Sequence, residues 1–188
     1  MIFGFFDPVN YDGVPMADIF RSYKKYFDEV SSNFVLQKFY ITGSPRPELL
    51  SYKLYGDVSY YWVLLMINEI LDPFHGWIKD EEAVHKSCEQ RYKNKPNGVN
   101  EILYHVDSEG KPFWRMKEYP VGSGNWYDIG DSLNKYLQHH GTLVPVTAIE
   151  HDMNENERKR TITIVAPNDI SKFLDMLTRR LERIRDGS

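Results

Sequence analysis

The feature that most constrains the fold is YYWVLLMI, eight consecutive apolar or aromatic residues from Tyr60 to Ile67. A membrane span needs about 20 such residues in a row, so this run belongs inside a protein core. It is also too uniform for an amphipathic surface helix, which keeps one polar face. The expectation is a short helix, Tyr60 to Asn68, buried on almost every side. Gly56-Asp57 ends the element before it, and Ser59 stands where a helix cap is needed.

Local signals organise the flanks. FVLQKFYIT, Phe34 to Thr42, is rich in β-branched and aromatic residues and stops at Gly43-Ser44-Pro45, which predicts a strand. Pro47 to Tyr55 reads as a short helix. Upstream, Ile19, Phe20, Tyr23, Phe27 and Val30 recur at helical spacing, predicting a helix from Pro15 to Ser31 behind an apolar arm of Ile2, Phe3, Phe5 and Phe6. Downstream, LDPFHGWI reads as a turn into a short extended segment, and Asp80 to Asn94 as a helix with acids first and Lys93 last. Ile102 to Val106 and Phe113 to Met116 form a hairpin across Asp107 to Gly110, and Pro120 to Gly141 reads as irregular surface. LVPVTAIEH and RTITIVA read as strands, with a helix through Ala148 to Glu157 as an open competitor. Asn168 then caps a helix with Ile170, Phe173, Leu174, Leu177, Leu181 and Ile184 on one face and Lys172, Arg179, Arg180 and Arg183 on the other. The class is α+β, as one compact body with appendages.

Composition narrows the function. A formal net charge of −4 removes the general electrostatic attraction to nucleic acid. No run is long enough to span a membrane, and the amino terminus lacks a signal peptide's basic start and cleavage site. The single cysteine, Cys88, cannot close an intramolecular disulfide, which points to a reducing compartment and a cytosolic origin. Tyrosine is abundant, at 13 residues, and its amphipathic ring suits surfaces that are buried against a partner yet partly wet.

Catalytic chemistry finds little footing. No G-x-S-x-G elbow and no phosphate-binding glycine loop occurs. His85 and Cys88 stand three apart and His139-His140 are adjacent, but neither pair has a second pair at ligand spacing. Glu81-Glu82 and Glu155 with Glu157 read as solvated surface. The expectation is no catalytic residue, no metal and no cofactor.

The order strand, short helix, LYGD turn and second helix resembles the lysin motif, a small βααβ module. That resemblance marks Tyr55, Gly56, Trp62, Leu65, Ile67, Asn68 and Trp77 as its core, with Trp77-Ile78 where a second strand would stand. FFDP, PMADIFRSYKKYF, YITGSPRPE, YWVLLMIN, DPFHGWI, YHV, WYDIGD and NENERKRTITI followed by NDISKF occur in that order across nearly the whole chain. Together they resemble the small inner baseplate wedge subunit of T-even-type contractile-tailed phages. The resemblance implies an architectural protein of the virion tail baseplate, made and assembled in the host cytoplasm. It would join neighbouring wedges around the hub, one copy on each of six. Its partners would be other wedge proteins and sheath-initiating and hub-proximal subunits, with no nucleic acid and no membrane.

On this reading the chain divides into an arm and helix (1–33), a lysin-motif-like core with the following helix (34–95), and a carboxy-terminal region (96–188). Phe3, Phe5 and Phe6 of the arm and Phe173, Leu177 and Leu181 of the final helix are the expected partner-binding residues. The alternative from the lysin-motif segment alone is a cell-wall module that binds N-acetylglucosamine polymers around Gly56, Asp57 and Trp77.

Overall fold

The structure, a computed structural model, describes residues 8–17 and 23–186. In chain order its elements are β1 (Pro8–Tyr11), β2 (Val14–Ala17), α1 (Lys24–Ser31), β3 (Leu36–Tyr40), α2 (Pro47–Tyr55), α3 (Tyr61–Ile67) and the single turn α4 (Pro73–Gly76). There follow α5 (Glu81–Tyr92), β4 (Ile102–Val106), β5 (Pro112–Trp114), β6 (Met116–Glu118), β7 (Asn125–Asp128), β8 (Leu137–His140) and β9 (Val144–Thr147). The last are α6 (Ala148–Arg158), β10 (Thr161–Val165) and α7 (Ile170–Asp186). The mixture is α+β, as expected. The chain forms two compact units, one of the residues up to Ile78 together with those from Lys159 onward, the other of Lys79–Arg158.

The first unit explains the apolar run. Besides the β1–β2 hairpin it holds a two-stranded antiparallel ladder, β3 with β10. Ile162 and Ile164 of β10 join Ile41, Leu50, Leu64, Leu65, Trp77 and Ile78 in one core, while Val165, on the opposite face, joins Phe27, Val30, Val63, Phe173, Leu177 and Leu181 in another. Helix α3 contributes to both cores, so polar residues have nowhere to face. Val63 and Leu64 are fully buried, each stabilising the fold by about 1.5–3 kcal/mol.

Several expectations are corrected here. Pro15–Ala17 is extended rather than helical: Asp12 and Gly13 both take positive φ (48° and 78°), the two-residue turn that closes β1 on β2, and α1 starts only at Lys24. Asp57, not Ser59, caps the turn before α3, its carboxylate accepting the Ser59 N–H at 2.7 Å. The strand that completes the strand–helix–helix–strand order is Thr161–Val165, not Trp77-Ile78, which instead lie buried in a core. Asn168 lies inside a 3-10 turn, Pro167–Asp169, rather than capping α7 from outside.

The second unit holds two three-stranded antiparallel sheets, β5-β4-β9 and β6-β7-β8. The segment expected to be irregular therefore carries β7 and β8, and Trp126 on β7 packs with Met116, Leu143 and Phe113. Met116 belongs to β6, not to the hairpin strand β5. Thr147 and Glu150 settle the open question at Ala148. The Thr147 N–H donates to the Glu150 carboxylate (2.8 Å) and the Glu150 N–H to the Thr147 hydroxyl (3.4 Å), a reciprocal cap that starts helix α6. Asn156, 4% exposed, clasps the Lys79 backbone through both its N–H (2.9 Å) and its C=O (2.8 Å).

Candidate protein-protein interface

The residues marked by the lysin-motif resemblance all lie in the first unit: Leu65 and Trp77 are buried, Tyr55, Trp62, Ile67 and Asn68 half-buried, and Gly56 exposed at the end of α2. Gly56 ends α2 in the left-handed region (φ 76°), with its N–H donating to the Tyr52 carbonyl. The Tyr55 hydroxyl donates to the Val165 carbonyl at 3.1 Å, and burial pushes its pKa up to about 12. Trp62 meets Phe27 edge-on at 6.2 Å, and Ile67 packs on the same core, whereas Leu65 and Trp77 lie in the other. The Trp77 indole N–H donates to the Pro45 carbonyl at 2.8 Å. Asn68 reaches from the end of α3 to β10, accepting the Thr163 N–H (2.7 Å) and donating to the Thr163 and Leu64 carbonyls (both 2.8 Å).

The expected partner-binding face of the last helix is also internal. Phe173, Leu177 and Leu181 are all at most 4% exposed and covered by α1 and α3, with Phe173 edge-on to Phe27 (5.3 Å) and Phe34 (5.5 Å). A stripe on an amphipathic helix packs first on its own unit, where the cost of ordering the chain is already met. Phe3, Phe5 and Phe6 lie outside the described residues. The basic side of α7 faces a groove of about 340 Å³ lined by Glu29, Asn33, Met176, Arg179, Arg180 and Arg183, where Arg180 pairs with Glu29 at 2.8 Å.

Groups that could carry chemistry are dispersed. Cys88 is buried, and desolvation pushes its thiol up to about 11. His85 pairs with Glu89 (3.3 Å), His139 stacks on Phe113 (4.7 Å) and His140 meets the Asn125 side chain (2.8 Å). Burial lowers the pKa of His105, which stacks on Trp126. Among the described residues no group of three or more His, Cys, Asp or Glu could hold a metal ion, and no helix is long and apolar enough to cross a membrane.

What the chain does present is large apolar side chains. In the first unit these include Tyr11, Val14 and Met16 on the β1–β2 hairpin, Val35, Leu36 and Tyr40 at β3, and Leu71 and Phe74 around α4. In the second, Trp114, Tyr119, Val121, Leu133 and Tyr136 are more than half exposed. Tyr and Trp are among the residues enriched at protein-protein interfaces.

Comparison with known proteins gives the family. The chain matches the family model described as base plate wedge protein 53 over residues 1–180. It is 42% identical over 192 residues to the baseplate wedge protein gp53 of Enterobacteria phage T4, a match that covers 97% of each chain. The chain belongs to the base plate wedge protein 53 family. Members of this family are structural proteins of the baseplate wedge, so this chain is a structural component of the phage tail and thus of the virion.

Proposed function

We propose that this wedge protein joins neighbouring wedges around the tail hub purely through protein contacts, one copy per wedge and six in the ring. Its partners on this reading are other wedge proteins and sheath-initiating and hub-proximal subunits, and it performs no catalysis and needs no cofactor. The observation that carries the reading is the family match, which runs over essentially the whole chain rather than over one module. The geometry supports it, since Asn68 and Asn156 are engaged within the fold while large apolar side chains face outward. Contacts of the obligate type bury roughly 2,000 Å² or more, which several such patches together could provide.

Sugar binding by the lysin-motif-like stretch has less support. Trp77, the aromatic residue named for contact with the sugar polymer, is 4% exposed with its indole N–H bonded within the chain. Sedimentation velocity tests the two readings together, with the purified chain run alone, with the other wedge proteins of the same phage, and with peptidoglycan fragments. A heavier complex only with wedge proteins is the expected result. Binding to the fragments alone would overturn the architectural reading.

A further inference from the structure

The sheet of β3 and β10 has two outer edges, and the chain treats them differently. In an antiparallel ladder, alternate residues direct their N–H and C=O groups to the paired strand or away from it. The Ile41 N–H donates to the Arg160 carbonyl at 2.8 Å, and the register sets Tyr40 opposite Thr161 and Lys38 opposite Thr163. Together these fix the outward groups as those of Leu36, Lys38 and Tyr40 on β3 and of Thr161, Thr163 and Val165 on β10.

The β10 edge is capped from within at Thr163 and at the Val165 carbonyl. Asn68 substitutes for a paired strand at Thr163, engaging both its N–H and its C=O, and the Tyr55 hydroxyl engages the Val165 carbonyl. Along β3 no described residue bonds the outward backbone groups of Leu36, Lys38 or Tyr40. Val35 (79%), Tyr40 (61%) and Leu36 (38%) are exposed beside them. Unpaired backbone groups flanked by exposed apolar side chains form a template for another strand.

We propose that the free edge of β3 docks an extended segment of another baseplate chain, carrying an acidic residue opposite Lys38 and apolar residues opposite Leu36 and Tyr40. Residues directly opposite each other share a face, and Leu36, Lys38 and Tyr40 lie on the same face of β3. Lys38 donates to the Thr163 hydroxyl at 3.0 Å, which holds its ammonium group over that face. The charge also selects against a second copy. Pairing β3 with β3 in the register that uses all three residues sets Lys38 opposite Lys38, and like charges in that position are destabilising. Main-chain bonds would supply affinity and the alternating side chains specificity, as in other strand additions.

The proposal rests on the reading that this chain binds other wedge proteins, and the test separates the two. Residue-level amide hydrogen exchange is measured on the chain alone and in complex with the other wedge proteins of the same phage, alongside Lys38→Pro and Lys38→Glu. Lys38→Pro removes an outward N–H that the β3–β10 ladder does not use, so the variant folds but loses the docking bond. The expected result is protection of the Leu36, Lys38 and Tyr40 amides only in the complex. Complex formation should also weaken at least about tenfold for Lys38→Pro and about fivefold for Lys38→Glu, which keeps the N–H but reverses the charge. Unchanged exchange at these amides, or undiminished complex formation by a folded variant, overturns the edge while leaving the wedge reading intact. Protection that grows with concentration of the chain alone assigns the edge to a second copy and also overturns it. Failure of the wild-type chain to join any complex removes both.

Discussion

Asn68 shows how much one polar side chain decides at the scale of a residue. It satisfies the Thr163 N–H and C=O and the Leu64 carbonyl at once, closing the last turn of α3 and the outer edge of β10. Asn68→Ala should destabilise the first unit by about 2–3 kcal/mol, because it leaves both Thr163 backbone groups short of partners, and urea unfolding measures the loss. The resemblance picked out Asn68, but its target was not legible, because Thr163 lies 95 residues away in the chain. Likewise Ser59 and Asp57 are both good caps by type, and only the path of the backbone chose Asp57. Tyr55 adds a pH dependence. Its folded-state pKa is raised to about 12, so its contribution is fully present below pH 10, the value in the unfolded chain, and is lost as pH rises through 12. Allowing for the partial exposure of the ring, wild type should lose on the order of 1–2 kcal/mol more than Tyr55→Phe across that window, read from urea midpoints at pH 10 and pH 12.

At the scale of elements, local grammar was most legible where one signal dominated. Helix α2 runs over Pro47–Tyr55 as read, since proline opens it and Gly56 ends it in a conformation that suits glycine. Helix α6 stayed open between strand and helix: T-A-I-E at Thr147 to Glu150 is a capping box, but the alternating apolar residues before it hid the signal. Sheet β6-β7-β8 was not legible, for its strands are three or four residues long and their alternation is lost among turn residues. The apolar stripe of α7 was clear, but a stripe does not say what covers it. Since Phe173 is fully buried between Phe27 and Phe34, Phe173→Ala should cost about 3–5 kcal/mol of stability. Arg183→Ala, on the exposed side of the same helix, should stay within about 0.5 kcal/mol. Equal unfolding midpoints for the two variants would refute the assignment of this face to the core.

At the scale of the whole molecule, the decisive fact is that the first unit is discontinuous. Strand β3 finds its partner β10 across the entire second unit, and a local reading, which looks for the closing strand soon after the second helix, stops at Trp77-Ile78. Hydrophobic pattern marks both strands but cannot record which distant strand completes a ladder. The two passages between the units are close within each unit. Lys79 and Asn156 are clasped by two hydrogen bonds, and the Lys159 ammonium donates to the His75 carbonyl at 2.6 Å. Insertions are tolerated where a unit's ends already meet, because little entropy is then lost in closing the chain around them. Replacing Lys79–Arg158 by a short glycine-serine linker should therefore leave the first unit folded, with the amides of Ile162 and Ile164 still protected in hydrogen exchange. Asn156→Ala in the full chain should act oppositely, speeding exchange in the second unit by leaving the Lys79 backbone without its clasp while the β3–β10 amides keep their rates. Slowed or speeded exchange in both units together would instead mean that the chain unfolds as one cooperative body.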